Sequence, residues 1–374
     1  MRGSDFLGIV FPNARDHLLR ELTGVRAMGS VPFGGRYRCI DFTLSNLVNA
    51  GVSRVGVITE SNYQSLMDHL GSGKPWDLAR KTGGMYILPP YGRGNSGVYR
   101  GNIDALSGTM EFLTLSPEEY VVLCNCDMVS NIDLSDVFDR HLATGADVTI
   151  VTQTGRRPEG DNDMMVVDTD EAGRVTDMRV SPEGDRAAPV QYSLGIAVLK
   201  RTQLISWVRA AASRNLTNLT THVFLREYLE HAFYTYQADG YAAVMDSMHS
   251  YLHANMDLLK PEVRAALFET GRPVYTKIRD TMPVRYGLNA EVSDSLIADG
   301  CYVDGTVEHC ILFRGVRVER GAVLKNCIIM QGGVIHENVR LEYVTTDKNV
   351  QIKAGHTLMG FDTYPVYIAK GSIV

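Results

Sequence analysis

Two aspartates stand where apolar runs stop. Asp127 follows Tyr120-Val121-Val122-Leu123 and Cys124-Asn125-Cys126, and Asp246 follows Tyr241-Ala242-Ala243-Val244-Met245, so both read as carboxylates at the ends of buried strands. Open α/β sheets bind their ligands outside the carboxyl ends of the strands, and one or two carboxylates completed by phosphate oxygens are enough to hold Mg²⁺. A lone strand-end aspartate is more often a helix cap or a solvated residue than a ligand. Three further stretches carry chemistry. Asn13-Ala14-Arg15-Asp16-His17-Leu18-Leu19 follows the apolar run of Leu7, Ile9 and Val10 and offers a cation and a carboxylate. Gly101-Asn102-Ile103-Asp104-Ala105-Leu106 reads as a helix start, with Asp104 in the first turn where negative charge meets the helix dipole. Ser193 lies in the strand-like run Tyr192 to Leu199, where a serine facing a neighbouring strand is the ordinary reading.

The elements that must position these residues alternate strand and helix. Leu7, Ile9 and Val10 give a first strand, and Leu44, Leu47 and Val48 fall on one face of a helix that Gly51 closes in the left-handed conformation. Val55-Gly56-Val57-Ile58 is a central parallel strand. Ser61 is placed to cap a helix running to about Leu70, and Met85 to Leu88 before Pro89-Pro90 reads as another strand. A loop rich in Gly, Arg and Asn spans 91–101. The helix opened at Gly101 runs to about Leu115, with Ala105, Met110 and Leu113 inward. Val148 to Val151 is a strand, Met164 to Val167 and Val175 to Met178 form a hairpin across Gly173, and helices follow at about 202–212 and 217–232.

Beyond about Pro261 the period changes. Apolar residues fall at Ile297, Val303, Leu312, Val318, Leu324 and Met330, a six-residue step broken once, and a second column follows at Cys301, Val307, Val316, Ala322, Ile328 and Val334. This is the hexapeptide pattern of a left-handed parallel β-helix, with Gly300, Gly305, Gly315 and Gly321 at tight corners. The fold class expected is therefore α/β plus β-solenoid: a Rossmann-like domain over 1–260, a linker over 261–290 and a β-helix over 291–374. Solenoids of this kind also serve acyltransferases that use a histidine, and His309, His336 and His356 lie here, but solvated corner histidines are the plainer reading.

Val31-Pro32-Phe33-Gly34-Gly35-Arg36-Tyr37-Arg38, followed by Ile40-Asp41-Phe42 and Leu44-Ser45-Asn46, closely resembles bacterial glucose-1-phosphate adenylyltransferases, the ADP-glucose pyrophosphorylases, and the resemblance covers nearly the whole chain. It implies a nucleotidyltransferase domain in which Asn13, Arg15, Gly34, Gly101 and Asp104 meet nucleotide, Ser193 meets the sugar phosphate, Asp127 and Asp246 hold Mg²⁺, and Asp127 and Arg15 take part in chemistry. The departures carry as much information. Active members have G-G-x-G-T-R-L in the first loop, where bare backbone approaches phosphates; this chain has Asn13 to Leu19, with Asp16 where triphosphate oxygens would lie. The family's R-A-K-P is Arg26-Ala27-Met28-Gly29, so a phosphate-facing lysine is replaced by Met28. G-T-A-D-A-V is Gly101 to Leu106, with bulkier Asn102 and Ile103 in the turn. L-A-G-D is Cys124 to Asp127, and F-V-E-K-P aligns loosely with Met178-Arg179-Val180-Ser181-Pro182, without the sugar-gripping lysine.

This pattern resembles the regulatory, GlgD-type subunits of the family. Two functions follow from it: a largely non-catalytic subunit that modulates a catalytic paralogue in a mixed tetramer, with sugar-phosphate or nucleotide effectors, or an active adenylyltransferase joining ATP and glucose 1-phosphate with Mg²⁺. Loss of each phosphate-binding donor removes about 2.7–4 kcal/mol of transition-state stabilisation, which favours the first.

Composition narrows the partners. A net charge of −6, with lysines and arginines dispersed along the chain and no basic run, argues against nucleic acid. No apolar stretch is long enough to span a bilayer and no signal segment is seen, so no membrane partner and a cytoplasmic location are expected. The six cysteines sit mostly in apolar runs, and Cys124-x-Cys126 lacks the spacing of a zinc or redox pair, so buried, reduced thiols are expected.

Overall fold

The computed structural model describes residues 3–90, 99–156, 164–180 and 188–374. Most of the loop read at 91–101, and Ser181 and Pro182 of the loosely aligned segment, lie outside the described residues.

Among the described residues, nine strands form one mixed sheet. Gly84–Leu88, Arg54–Ile58, Phe6–Phe11 and Tyr120–Asn125 lie side by side and parallel. The long strand Pro189–Lys200 runs antiparallel beside Tyr120–Asn125, followed by Val148–Arg156 and then Phe233–Gln237. Alternation along the first strand explains both faces: Phe6 and Val10 pack with Ile40, Leu44 and Leu47 of the helix Cys39–Asn49, whereas Leu7, Ile9 and Phe11 pack with Ile103, Leu106, Leu204 and Trp207. The chain leaves Phe6–Phe11 on one side and returns on the other at Tyr120–Asn125. The strand order therefore reverses between these two, with Phe11 opposite Asn125 at their carboxyl ends. That is where such sheets place their ligands.

Several expected boundaries move for local reasons. The second helix is Gln64–Leu70, starting after left-handed Asn62 rather than at Ser61, which makes no cap. The helix expected over 101–115 is two, Asn102–Gly108 and Met110–Leu115, because Thr109 turns its hydroxyl back onto the carbonyls of Ala105 and Leu106. The helix expected over 217–232 is shorter, a continuous run in which the π-helical Thr220–Phe224 leads directly into Leu225–Glu227, ahead of the strand Phe233–Gln237 that the apolar pattern did not single out. Gly51 has φ 81° and closes the first helix as expected. All six cysteines are buried free thiols.

The carboxyl-terminal part is a left-handed β-helix of three five-stranded parallel sheets. Its coils are shorter than three full hexapeptides: Tyr302 pairs with Arg317, Arg317 with Val334 and Val334 with Gln351, offsets of 15, 17 and 17 residues. Val303, Val307, Leu312, Val318, Leu324 and Ile328 are fully buried in its core. Gly300, Gly315 and Gly321 turn corners with positive φ; Gly305 does not, and is glycine because a Cβ there would stand 2.5 Å from the Ala322 carbonyl. His309, His336 and His356 lie on the rim, partnered by Asp294, Glu319 and the Lys353 carbonyl. The stretch 261–290 carries the helix Pro261–Leu267 and, at Arg285–Tyr286, the first solenoid strand.

The two parts share a core. Phe33, Phe42, Tyr251 and Leu258 pack with Ile311, Phe313, Ile328 and Met330 of the solenoid. Beside this seam Arg26 and Asp347, 2% and 0% exposed in their side chains, form a two-pronged ion pair with both contacts at 2.8 Å.

Candidate functional site

The loop after Phe11 folds onto itself. The amides of Ala14, Asp16 and Leu18 donate to the carbonyls of Phe11, Asn13 and Arg15, so these three N–H groups are used inside the loop. Both oxygens of Asp16 are taken up by neighbouring groups. Its Oδ1 accepts from the Met28 amide at 2.8 Å and its Oδ2 from Asn13 Nδ2 at 2.8 Å. Asn13 in turn accepts from the Glu60 amide and donates to the Ser61 carbonyl. Burial pushes the Asp16 carboxyl up to about 7, the Asn13 and Met28 hydrogen bonds pulling the other way.

Arg15, left-handed at φ 61°, swings across the switch point and places a guanidinium nitrogen 2.8 Å from Asp127 Oδ2. Asp127 is 2% exposed, and its carbonyl accepts from the Met245 amide, which brings the second strand-end aspartate, equally buried Asp246, onto the adjoining segment. The two-stranded ribbon Met128–Ser130 with Ala242–Val244 fixes that approach. The Asp246 amide donates to Ser250 Oγ, within the capping box that starts the helix Met248–Met256.

A cleft of about 350 Å³ opens beside this pair, lined by Asn13, Arg15, Glu60, Gly101 and Asn125 among others. At its far wall the turn at Gly101 is closed: the Ile103 amide donates to the Thr217 carbonyl and Asn102 Oδ1 accepts from the Leu219 amide. Asp104 pairs with Arg100 at 2.7 Å, which holds its carboxyl below the usual range. Ser193 is buried at the irregularity where the long strand slips register, its Oγ accepting from the Gly195 amide. Gly34 lies elsewhere. Its amide donates to Asn255 and its position packs against Leu258, so it belongs to the seam with the solenoid. The structure thus gathers Asn13, Arg15 and Gly101 around one cleft, ties Asp127 to it through Arg15 and Asp246 to Asp127 through the adjoining Met245, and leaves Ser193 and Gly34 out of its lining.

A second site was not visible in the sequence. At the seam a narrow pocket is lined by Arg36, Arg38, Lys277, Arg279, Arg314 and Lys348, with His69 and no carboxylate among its lining residues. These cations come from four separate stretches of chain, so dispersal along the sequence concealed a concentration in space. Burial and the nearby Arg38 and Arg26 push the Lys348 amine down to about 7, and burial lowers Arg38 to about 10.

Comparison with known proteins agrees with this architecture. A nucleotidyl transferase family profile matches residues 17–265 and a GlmU-like, C-terminal hexapeptide profile matches 282–364. The glycogen biosynthesis protein GlgD of Bacillus subtilis is 34% identical over 373 residues, covering 100% of this chain and 98% of the relative. The chain belongs to the glucose-1-phosphate adenylyltransferase and GlgD family. Glucose-1-phosphate adenylyltransferases of Thermotoga neapolitana and Bacillus mycoides are 37% and 32% identical, covering 82% and 90% of this chain and 73% and 90% of the relatives. Among the described residues no helix is long and apolar enough to cross a membrane.

Proposed function

We propose that the chain acts in glycogen biosynthesis as a regulatory, largely non-catalytic subunit, assembling with a catalytic glucose-1-phosphate adenylyltransferase in a mixed tetramer. The observation that carries this reading is the first loop. A nucleotide triphosphate needs backbone amides and cations facing it, whereas here three loop amides bond within the loop, Asp16 ties the loop to Met28, and Arg15 is committed to Asp127. The guanidinium lies on a carboxylate oxygen that a divalent cation would need, so the residues as placed do not fit a resident Mg²⁺. The Gly101 turn, its Ile103 amide held by the Thr217 carbonyl and its Asn102 side chain by the Leu219 amide, gives nucleotide no better purchase.

The seam pocket supplies what a regulatory subunit requires. The pocket is about 40 Å³, of a size for a phosphoryl group, and its six cations, of which Arg314 is paired with Asp299, select an anion. A phosphorylated effector held there sits between the two parts of the chain. Its binding would favour one arrangement of the shared oligomer, with coupling of roughly 1–3 kcal/mol.

The test is ADP-glucose synthesis by this chain alone, by a catalytic subunit, and by their mixture. The expected result is no synthesis by this chain and an altered rate or effector response in the mixture, unaffected by Asp127→Ala in this chain. Synthesis by this chain alone, abolished by Asp127→Ala, would establish the alternative, an active adenylyltransferase, which the 350 Å³ cleft leaves room for.

A further inference from the structure

We propose that His249, His253 and Asp362 form a binding site for a zinc-type divalent cation that clamps the nucleotidyltransferase-like domain to the β-helix. Among the described residues this is the one group of three His, Cys, Asp or Glu side chains whose ligand atoms all lie within 4.8 Å of one another. His249 and His253 are one helical turn apart on Met248–Met256, which puts both imidazoles on the same face, with ring centroids 4.3 Å apart. The third donor comes from the solenoid. In the sheet that ends at Val366–Ile368, Ile328 pairs with Thr345 at an offset of 17 residues but Val344 pairs with Val366 at 22. The added residues form a turn in which Phe361 and Tyr364 exchange both backbone hydrogen bonds, with Asp362 at its tip. This insert reaches the helix of the other domain.

The distances suit a metal better than a salt bridge. His253 Nε2 lies 3.2 Å from Asp362 Oδ1, yet this buried nitrogen makes no aligned hydrogen bond. Zinc bonds of roughly 2.0–2.2 Å in tetrahedral geometry set ligand atoms roughly 3.3–3.5 Å apart, so that edge already has the required length, and rotation of the half-buried His249 brings in the third donor. Two imidazoles and one carboxylate are a borderline nitrogen and oxygen set, which selects Zn²⁺ over Mg²⁺. A fourth position remains for water. The donors are distinct from Asp127 and Asp246, and a cation here would join helix to insert across the seam.

Tag-free full-length protein, stripped with chelator, is titrated with Zn²⁺ by calorimetry and with Co²⁺ by visible absorption, and its melting temperature is followed. One Zn²⁺ per chain is expected, with a rise in melting temperature and a tetrahedral cobalt spectrum. His249→Ala and His253→Gln should each abolish stoichiometric binding while melting as the metal-free wild type does, and Asp127→Asn with Asp246→Asn should leave it intact. Absence of stoichiometric binding by the wild type, unchanged binding by both histidine variants, or loss of binding in the Asp127/Asp246 variant would each overturn the proposal. The first or second outcome would leave the three residues as an interdomain polar contact.

Discussion

The Asp16 carboxyl holds its proton in the folded chain up to about pH 7, because burial outweighs the two hydrogen bonds that favour its charge. An unfolded aspartate releases that proton near 3.9. The group therefore adds stability at acid pH that is lost as the pH rises from about 4 through 7. Asp16→Asn should flatten that decline, which urea denaturation at several pH values would measure; an unchanged slope would refute the assignment. Arg15→Ala should be worse tolerated, since it leaves a 3%-exposed Asp127 side chain without its cation, and breaking a buried pair costs about 3–5 kcal/mol. Adding Asp127→Asn should recover part of that loss. Both residues were marked in the sequence as chemically significant. Their orientation was not legible, because it depends on partners 12 and 112 positions away, the Met28 amide and the Asp127 carboxylate.

The elements were more readable where one physical cause dominated. The parallel strands and the first helix followed from apolar runs and spacing, and the solenoid from its period. Coil length was less visible, because strands of two or three residues leave corners that carry the register. Asp294, His309, Asn326 and Tyr343 all have positive φ and stack at one corner at offsets of 15, 17 and 17, a run of left-handed non-glycine residues that apolar columns do not report. The helix expected over 217–232 is present but shorter, a helical run over 219–227 with a π-helical middle whose Val223 and Phe224 are buried in the core with Trp207. The join between elements gives a sharp test: Asp347→Ala strands Arg26 in a dry seam and should destabilise by about 3–5 kcal/mol, whereas Arg26→Met with Asp347→Leu should be milder than that single change. Chemical denaturation of the three chains would distinguish them, and equal losses would show that the pair is not isolated in this way.

Across the whole molecule, the six-cation seam was hidden because its members are distant in sequence and its sign opposes the net charge of −6. Lys348 is the reporter of this crowding. With its amine pushed down to about 7, against 10.5 ordinarily, it is largely neutral at pH 8 in the folded chain, and it penalises folding at lower pH, where it must charge among neighbours of the same sign. A bound phosphate raises it again. Inorganic phosphate or a sugar bisphosphate should therefore bind at pH 8 with uptake of up to one proton, seen by calorimetry in buffers of differing ionisation heat, and Lys348→Met should remove the uptake; binding without proton exchange in the wild type would contradict this.

The same seam also governs how fast an anion arrives. A cationic mouth on a chain of net charge −6 attracts a doubly charged solute only within about one Debye length, roughly 10 Å at 0.1 M salt. Capture at this mouth should slow steeply as ionic strength rises while escape changes little, so the chain would register its effector through the frequency of encounters, and the salt content of the surroundings would set the sensitivity of the device.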